Sequence, residues 1–196
     1  MVEVVQKLSR PDSLRRREQL AATMFEIVAD RGLEAVTVRE VAAVAGVSIG
    51  AVQHHFPTKD AMLASAFHHV VDRLRERIDR RHRSGDAATD LNTVLAELLP
   101  LDEQRRREAR VQVAFAARAA TSTELQAIQR PLLERIRAEI AEVLGAGEGA
   151  CERSVALLAL VDGLALHEVS APGGLEPHAL ERALRLGVRA ALADPP

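Results

Sequence analysis

The stretch TVREVAAVAGVSIGAVQHHF, residues 37–56, decides the fold. Thr37 and Glu40 have capping-box spacing. The hydroxyl can accept from the backbone N–H of Glu40, and the carboxylate can reach back to the N–H of Thr37. A helix is therefore expected up to Ala45. Gly46 then makes the turn, because positive φ costs glycine little, and Ser48 is placed to cap a second helix. Ala42 is small where the two helices would cross; Val41, Ala45, Val47 and Val52 are apolar where they would seal together. This is the pattern of a helix-turn-helix, whose second helix enters the major groove. The same residues, taken alone, also fit a plain helical hairpin.

Outward from this stretch, helical spacing recurs to both ends of the chain and strand-like alternation does not. Residues 1–12 read as frayed. Ala21, Met24, Phe25 and Val28 form one apolar stripe, ended by Gly32. Phe56-Pro57-Thr58 breaks the chain, and Thr58 caps a long helix to about Arg83 whose apolar face carries Met62, Phe67, Val70, Val71 and Leu74. A fifth helix is expected over 90–99, stopped by Pro100, and a sixth from Glu103 to Ala120. A second capping box, Thr121 to Glu124, opens a seventh, in which Pro131 should make a kink. Gly145–Gly149 reads as a flexible link, 151–169 as an eighth helix, and Pro177 suits the first turn of a ninth.

Composition narrows the class. Apolar residues are 47 % and charged residues 28 %, ordinary for a globular protein of 196 residues. Net charge is −2, so any affinity for nucleic acid must come from where charges sit. Between Ser9 and Lys59 there are seven basic and six acidic side chains, which leaves that segment almost neutral. Cys151 is the only cysteine, which precludes an internal disulfide and fits a reducing cytoplasm. Met1–Ser13 has no apolar core of signal-peptide length, and the apolar run 155–166, interrupted by Asp162, is too short for a bilayer. No membrane association is expected.

The wider string from Gly32 to Asp60, with GLEAVTVREVA, AGVSIG and HFPTKD, resembles the DNA-binding domain of the TetR family of transcriptional regulators, over about residues 12–65. Around 157–169 the chain is similar to the C-terminal domains of betaine-repressor-like members. The resemblance implies an all-α protein of about nine helices. It places a three-helix DNA-binding domain at residues 12–57, and a helical inducer-binding and dimerisation domain at 58–194. The implied function is a ligand-responsive repressor of a palindromic operator, though activation stays open.

Residue roles follow from that resemblance. Thr37 and Arg39 start the first helix of the motif, and a helix N-terminus with an added cation suits phosphate. Ser48, Ala51 and Gln53 project from the second, where the Gln53 amide can pair bidentately with adenine. His54 stands where the family often has Tyr on a phosphate, and Lys59 resembles its phosphate-binding lysine. Arg15-Arg16-Arg17 is either a solvated charge run or a further phosphate contact.

Two-fold operators need a dimer. The eighth helix is apolar nearly all round, so one face is left for a partner, and with the ninth it would form an intermolecular four-helix bundle. A central helix buried in a monomer is the alternative. An inducer pocket, its ligand unidentified, is expected among Phe67, Val71, Leu74, Val111, Phe115 and Arg118. Val111, Ala114, Phe115 and Arg118 share a helical face, so the Arg118 guanidinium either turns inward, to pair with Asp162 or with an anionic ligand, or reaches solvent. With few aromatic rings for an ammonium cage, choline is not expected.

Two rivals remain at this point. His54-His55 and His68-His69 could hint at metal, but neighbours on a helix point about 100° apart and cannot share one site. No nucleophile motif surrounds Ser122, Cys151 or His167, so neither an enzyme nor a cofactor is expected. A helical interaction module without DNA contact is the other rival.

Overall fold

The computed structural model describes residues 2–145 and 149–193, with side chains from Leu14 onward within them. These residues form nine α-helices and no strand. In order they are α1 (Val2–Arg31), a 3-10 turn (Leu33–Ala35), α2 (Val38–Ala45), α3 (Ile49–His55), α4 (Lys59–Asp79) and α5 (Ala87–Ala96). There follow α6 (Glu103–Ala119), α7 (Thr123–Leu144), α8 (Ala150–Ser170) and α9 (Pro177–Leu192). The chain divides into two compact units at Asp72 and Arg73, inside α4, where the sequence reading sets the boundary at 57 and 58. The expected link at Gly145–Gly149 falls largely on residues 146–148, outside the described residues.

In the first unit α1 packs on α2 and α2 on α3. Leu20, Met24, Phe25 and Val28 of α1 are buried, as are Val41, Ala42, Val52 and Phe56. The Phe25 ring lies 5.5 Å from that of His69 on α4, centroid to centroid. The helix α1 reaches back to Val2, over the stretch expected to fray.

In the second unit α5, α7, α8 and α9 enclose one apolar core, with Leu95, Leu99, Ile140, Leu158, Val161, Leu184 and Val188 at its centre. Gly187 lets α9 approach α8: a Cβ there would collide with a methyl of Leu160. The fifth helix ends at Ala96, earlier than expected. Beyond it, Glu97, Leu98 and Leu99 each donate to the carbonyl three residues back, winding the chain tightly toward Pro100. The seventh helix is capped by Ser122, whose Oγ accepts from Leu125 N at 3.4 Å, not by Thr121. Thr121 instead donates its hydroxyl to Arg118 O at 3.3 Å. Pro131 sits inside α7, which continues to Leu144.

Among the described residues of this unit three glutamates are buried, and each is held by donors. Glu108 accepts from both Nη atoms of Arg77, at 3.0 and 2.6 Å, and Glu97 accepts from Arg77 Nε at 3.0 Å. Arg81 also binds Glu97, Arg105 lies 3.8 Å from it, and Arg73 lies 3.5 Å from Glu108. Burial would raise the Glu97 pKa, but hydrogen bonds from Arg81 and Arg77 and the charges of Arg81 and Arg105 hold it below the usual range. Burial likewise works against the Arg77 charge, yet Glu108 and then Glu97 raise its pKa. Glu168 accepts from the backbone N–H groups of Gly173 and Leu175, both at 3.2 Å, and so clasps the loop between α8 and α9.

Candidate nucleic-acid interface

Gly46 takes φ 66° and ψ 37°, the left-handed conformation that favours glycine. Its N–H donates to Ala43 O at 3.4 Å, and the next N–H, of Val47, reaches back to Ala42 O at 3.0 Å. This pair of bonds is a Schellman stop, which satisfies the last carbonyls of α2 while turning the chain. Ser48 restarts it: its Oγ accepts from Ala51 N at 3.1 Å. Thr37 does the same for α2, accepting from Glu40 N at 3.2 Å. The reciprocal half of that capping box goes elsewhere, since Glu40 Oε1 accepts from Arg31 Nη2 at 2.7 Å. A full cation outcompetes a single amide for the carboxylate.

The second short helix has two unlike sides. Val52 is fully buried, and Ala51 and His55 are half-buried beside it. Ile49, Gly50, Gln53 and His54 are exposed. At 100° per residue these four fall on one continuous face. Of the residues expected to project, Ser48 and Gln53 stand out, while Ala51 is turned partly inward. Thr37 and Arg39 are exposed at the start of α2. The hydroxyls of Thr37 and Ser48 use an oxygen lone pair in capping, so each O–H still has a proton to donate.

At the edge of the motif, Lys59 Nζ lies 3.0 Å from Glu34 Oε2, a pairing the sequence reading does not anticipate. The guanidinium of Arg17 sits 5.8 Å from the Phe56 ring centroid. The His54 and His55 rings meet edge-on at 5.3 Å. Burial lowers the His55 pKa, and the charges of His54, Arg17 and Arg16 lower it further. Among the described residues no group of three His, Cys, Asp or Glu is placed to hold a metal. None of the described helices is long and apolar enough to cross a membrane.

The residues expected around an inducer are mostly interior. Phe67 and Val71 are buried in the first unit, and Leu74, Val111 and Phe115 in the second. Arg118 is the correction: it is exposed, not turned inward. It lies in the last turn of α6, on the side where Ala116 and Ala117 are also exposed, while Phe115 and Ala119 are buried. Asp162 is exposed on α8, and the cation that acts on its carboxyl is Arg137 of α7.

Two short helices joined by a left-handed glycine, the second buried along one side and bare along the other, define a helix-turn-helix DNA-binding protein. Residues 20–66 match the bacterial regulatory proteins of the tetR family, and residues 87–193 match the C-terminal domain of BetI-type transcriptional repressors. The HTH-type transcriptional regulator PksA of Bacillus subtilis (strain 168) is 31 % identical over 180 residues, 88 % of each chain. The crystal structure of a transcriptional regulator from Rhodococcus sp. Rha1 superposes with a TM-score of 0.85 at 48 % identity, covering 90 % of this chain and 95 % of that one. A regulator from Saccharomonospora viridis, determined in complex with choline, shares the fold at a TM-score of 0.75 and 20 % identity, covering 88 % of this chain and 95 % of that one. The chain belongs to the TetR family, with a BetI-type C-terminal domain; it is a transcriptional regulator and not an enzyme.

Proposed function

We propose that this regulator is a cytoplasmic homodimeric repressor that grips a palindromic operator and lets go when a small molecule binds its second unit. The observation that carries the reading is the bare face of α3, set opposite the buried Val52. Gln53 is the base-reading residue, pairing with adenine. Thr37, Arg39, Ser48, His54 and Lys59 position the helix on phosphates, and the small Gly50 on its bare face lets it lie close to the groove, with Ala51 at the margin of that face. Selection of bound duplexes from a random pool tests this. A two-fold sequence should emerge, and Gln53→Ala should weaken binding to it about tenfold or more while relaxing preference at one base pair. Selection that enriches no sequence would overturn the proposal.

Support for a dimer comes from α8 and α9. Val155 and Leu166 on α8 and Leu186 on α9 are large apolar side chains left exposed, with Ala156, Ala159 and Ala190 bare around them. A second copy would cover these faces. Gel filtration at micromolar concentration should give twice the chain mass, and a monomer there would reject the idea. Release then follows by population shift. A thousandfold loss of operator affinity needs a ligand that prefers the released form by about 4 kcal/mol.

The ligand we propose is apolar, admitted by displacing the side chains packed on Val111 and Phe115 of α6, both of which are fully buried in this form. From Arg73 onward Phe115 is the one Phe, Tyr or Trp, so the second unit cannot build the several-ring cage that a quaternary ammonium wants. Millimolar choline should therefore leave operator binding unchanged, and release by choline would sink this part of the reading.

A further inference from the structure

Ile49 opens α3 with a large aliphatic side chain that is 47 % exposed. The hydrophobic requirement of this short helix is already met by Val52, which is 0 % exposed, so packing within the unit does not call for Ile49. Local propensity does not call for it either, because a β-branched side chain is restricted in a helix. Ile49 stands four residues before Gln53, which makes them neighbours on the same bare face. Between them is Gly50, where an added Cβ would meet nothing nearer than Ser48 Oγ at 4.0 Å. Nothing on that side keeps a groove edge from approaching the Ile49 side chain.

In the major groove one apolar group is available to such a side chain, the C5-methyl of thymine. We propose that Ile49 is a specificity-determining residue that recognises a thymine methyl next to the base contacted by Gln53. This rests on the reading of α3 as the recognition helix and adds a second, apolar letter to it. Burying one methyl against an aliphatic side chain corresponds to about fourfold in affinity for each half-site.

The test uses the intact chain and the operator recovered by random-pool selection. Each thymine is replaced in turn by deoxyuridine, which removes the methyl and keeps every hydrogen-bonding group. Affinities are measured by fluorescence anisotropy for the wild-type chain and for Ile49→Ala, whose fold is checked by its melting curve. One symmetric thymine position should weaken wild-type binding about fourfold per half-site when demethylated, while Ile49→Ala binds the two operators alike. Gln53→Ala, assayed at concentrations where it still binds, should keep the methyl effect. Indifference of the wild type to every replacement would overturn the proposal, as would an undiminished methyl effect in Ile49→Ala. Both results leave a selected operator in hand. Loss of the recognition-helix reading would show itself differently, as a selection that enriches nothing.

Discussion

Up to the middle of α4, the buried side chains described are apolar apart from Ser65; from Arg73 onward, Glu97, Glu108 and Glu168 are buried among the leucines. The first unit is fixed by features a few residues long, namely the Gly46 stop and the Thr37, Ser48 and Thr58 caps. The second is tied by charges far apart in sequence: Arg77 joins α4 to Glu97, just past α5, and to Glu108 in α6. A neutral core tolerates protonation of its surroundings, whereas buried carboxylates are stable only while their donors are present. The units should therefore fail under different insults.

Removing one cation should separate them most. Arg77→Met leaves Glu97 and Glu108 short of their shared partner and should cost about 3 kcal/mol. Hydrogen exchange would locate the loss in α5 and α6, with α2 and α3 little changed; equal loosening of all four helices would erase the contrast. Glu168→Ala strips the acceptor from two backbone N–H groups and should cost about 2 kcal/mol. Its signature is faster exchange at Gly173 and Leu175.

Acid is a gentler probe of the same difference. Burial would raise the pKa of Glu97 and of Asp102, but Arg81 and Arg77 for the first, and the Arg105 N–H groups and charge for the second, hold them below the ordinary values. The unfolded chain keeps the ordinary values, so it takes up protons first as pH falls. The stabilisation from these carboxylates is full above the unfolded values and disappears as pH drops through the folded ones. Below about pH 4 the second unit should lose exchange protection ahead of the first; simultaneous loss would contradict the assignment. The smallest effect belongs to the turn. Gly46→Ala should cost about 1 kcal/mol through its positive φ alone, since a Cβ there meets nothing within 4 Å. Gly46→Asn should cost less, because asparagine tolerates that conformation.

The same contrast explains what the sequence disclosed. Gly46, Thr37 and Ser48 act on neighbours three or four residues away, so spacing was enough to place α2 and α3. The apolar stripe of α4 was legible for a similar reason: Met62, Phe67, Val70, Val71 and Leu74 are all buried. Pairings across 20 or 31 residues, such as Arg77 with Glu97 and Glu108, leave no periodic trace. For Arg118 the helical wheel left the inward and solvent-reaching readings both open, and only its exposure separates them. Ile49 could have been noticed from its i, i+4 relation to Gln53, but an aliphatic residue reads as core until its exposure is known.

The Lys59–Glu34 contact bears on how such a protein would find its target. An exposed pair of this kind is weak and exchanges readily, so a well-oriented phosphate can displace Glu34. An arbitrary duplex, meeting the surface in no fixed orientation, faces a cation already neutralised and a carboxylate that repels it. Arg31, held by Glu40 at 2.7 Å, is shielded in the same way. Retention on random sequence, which depends on unshielded charge, should therefore be brief.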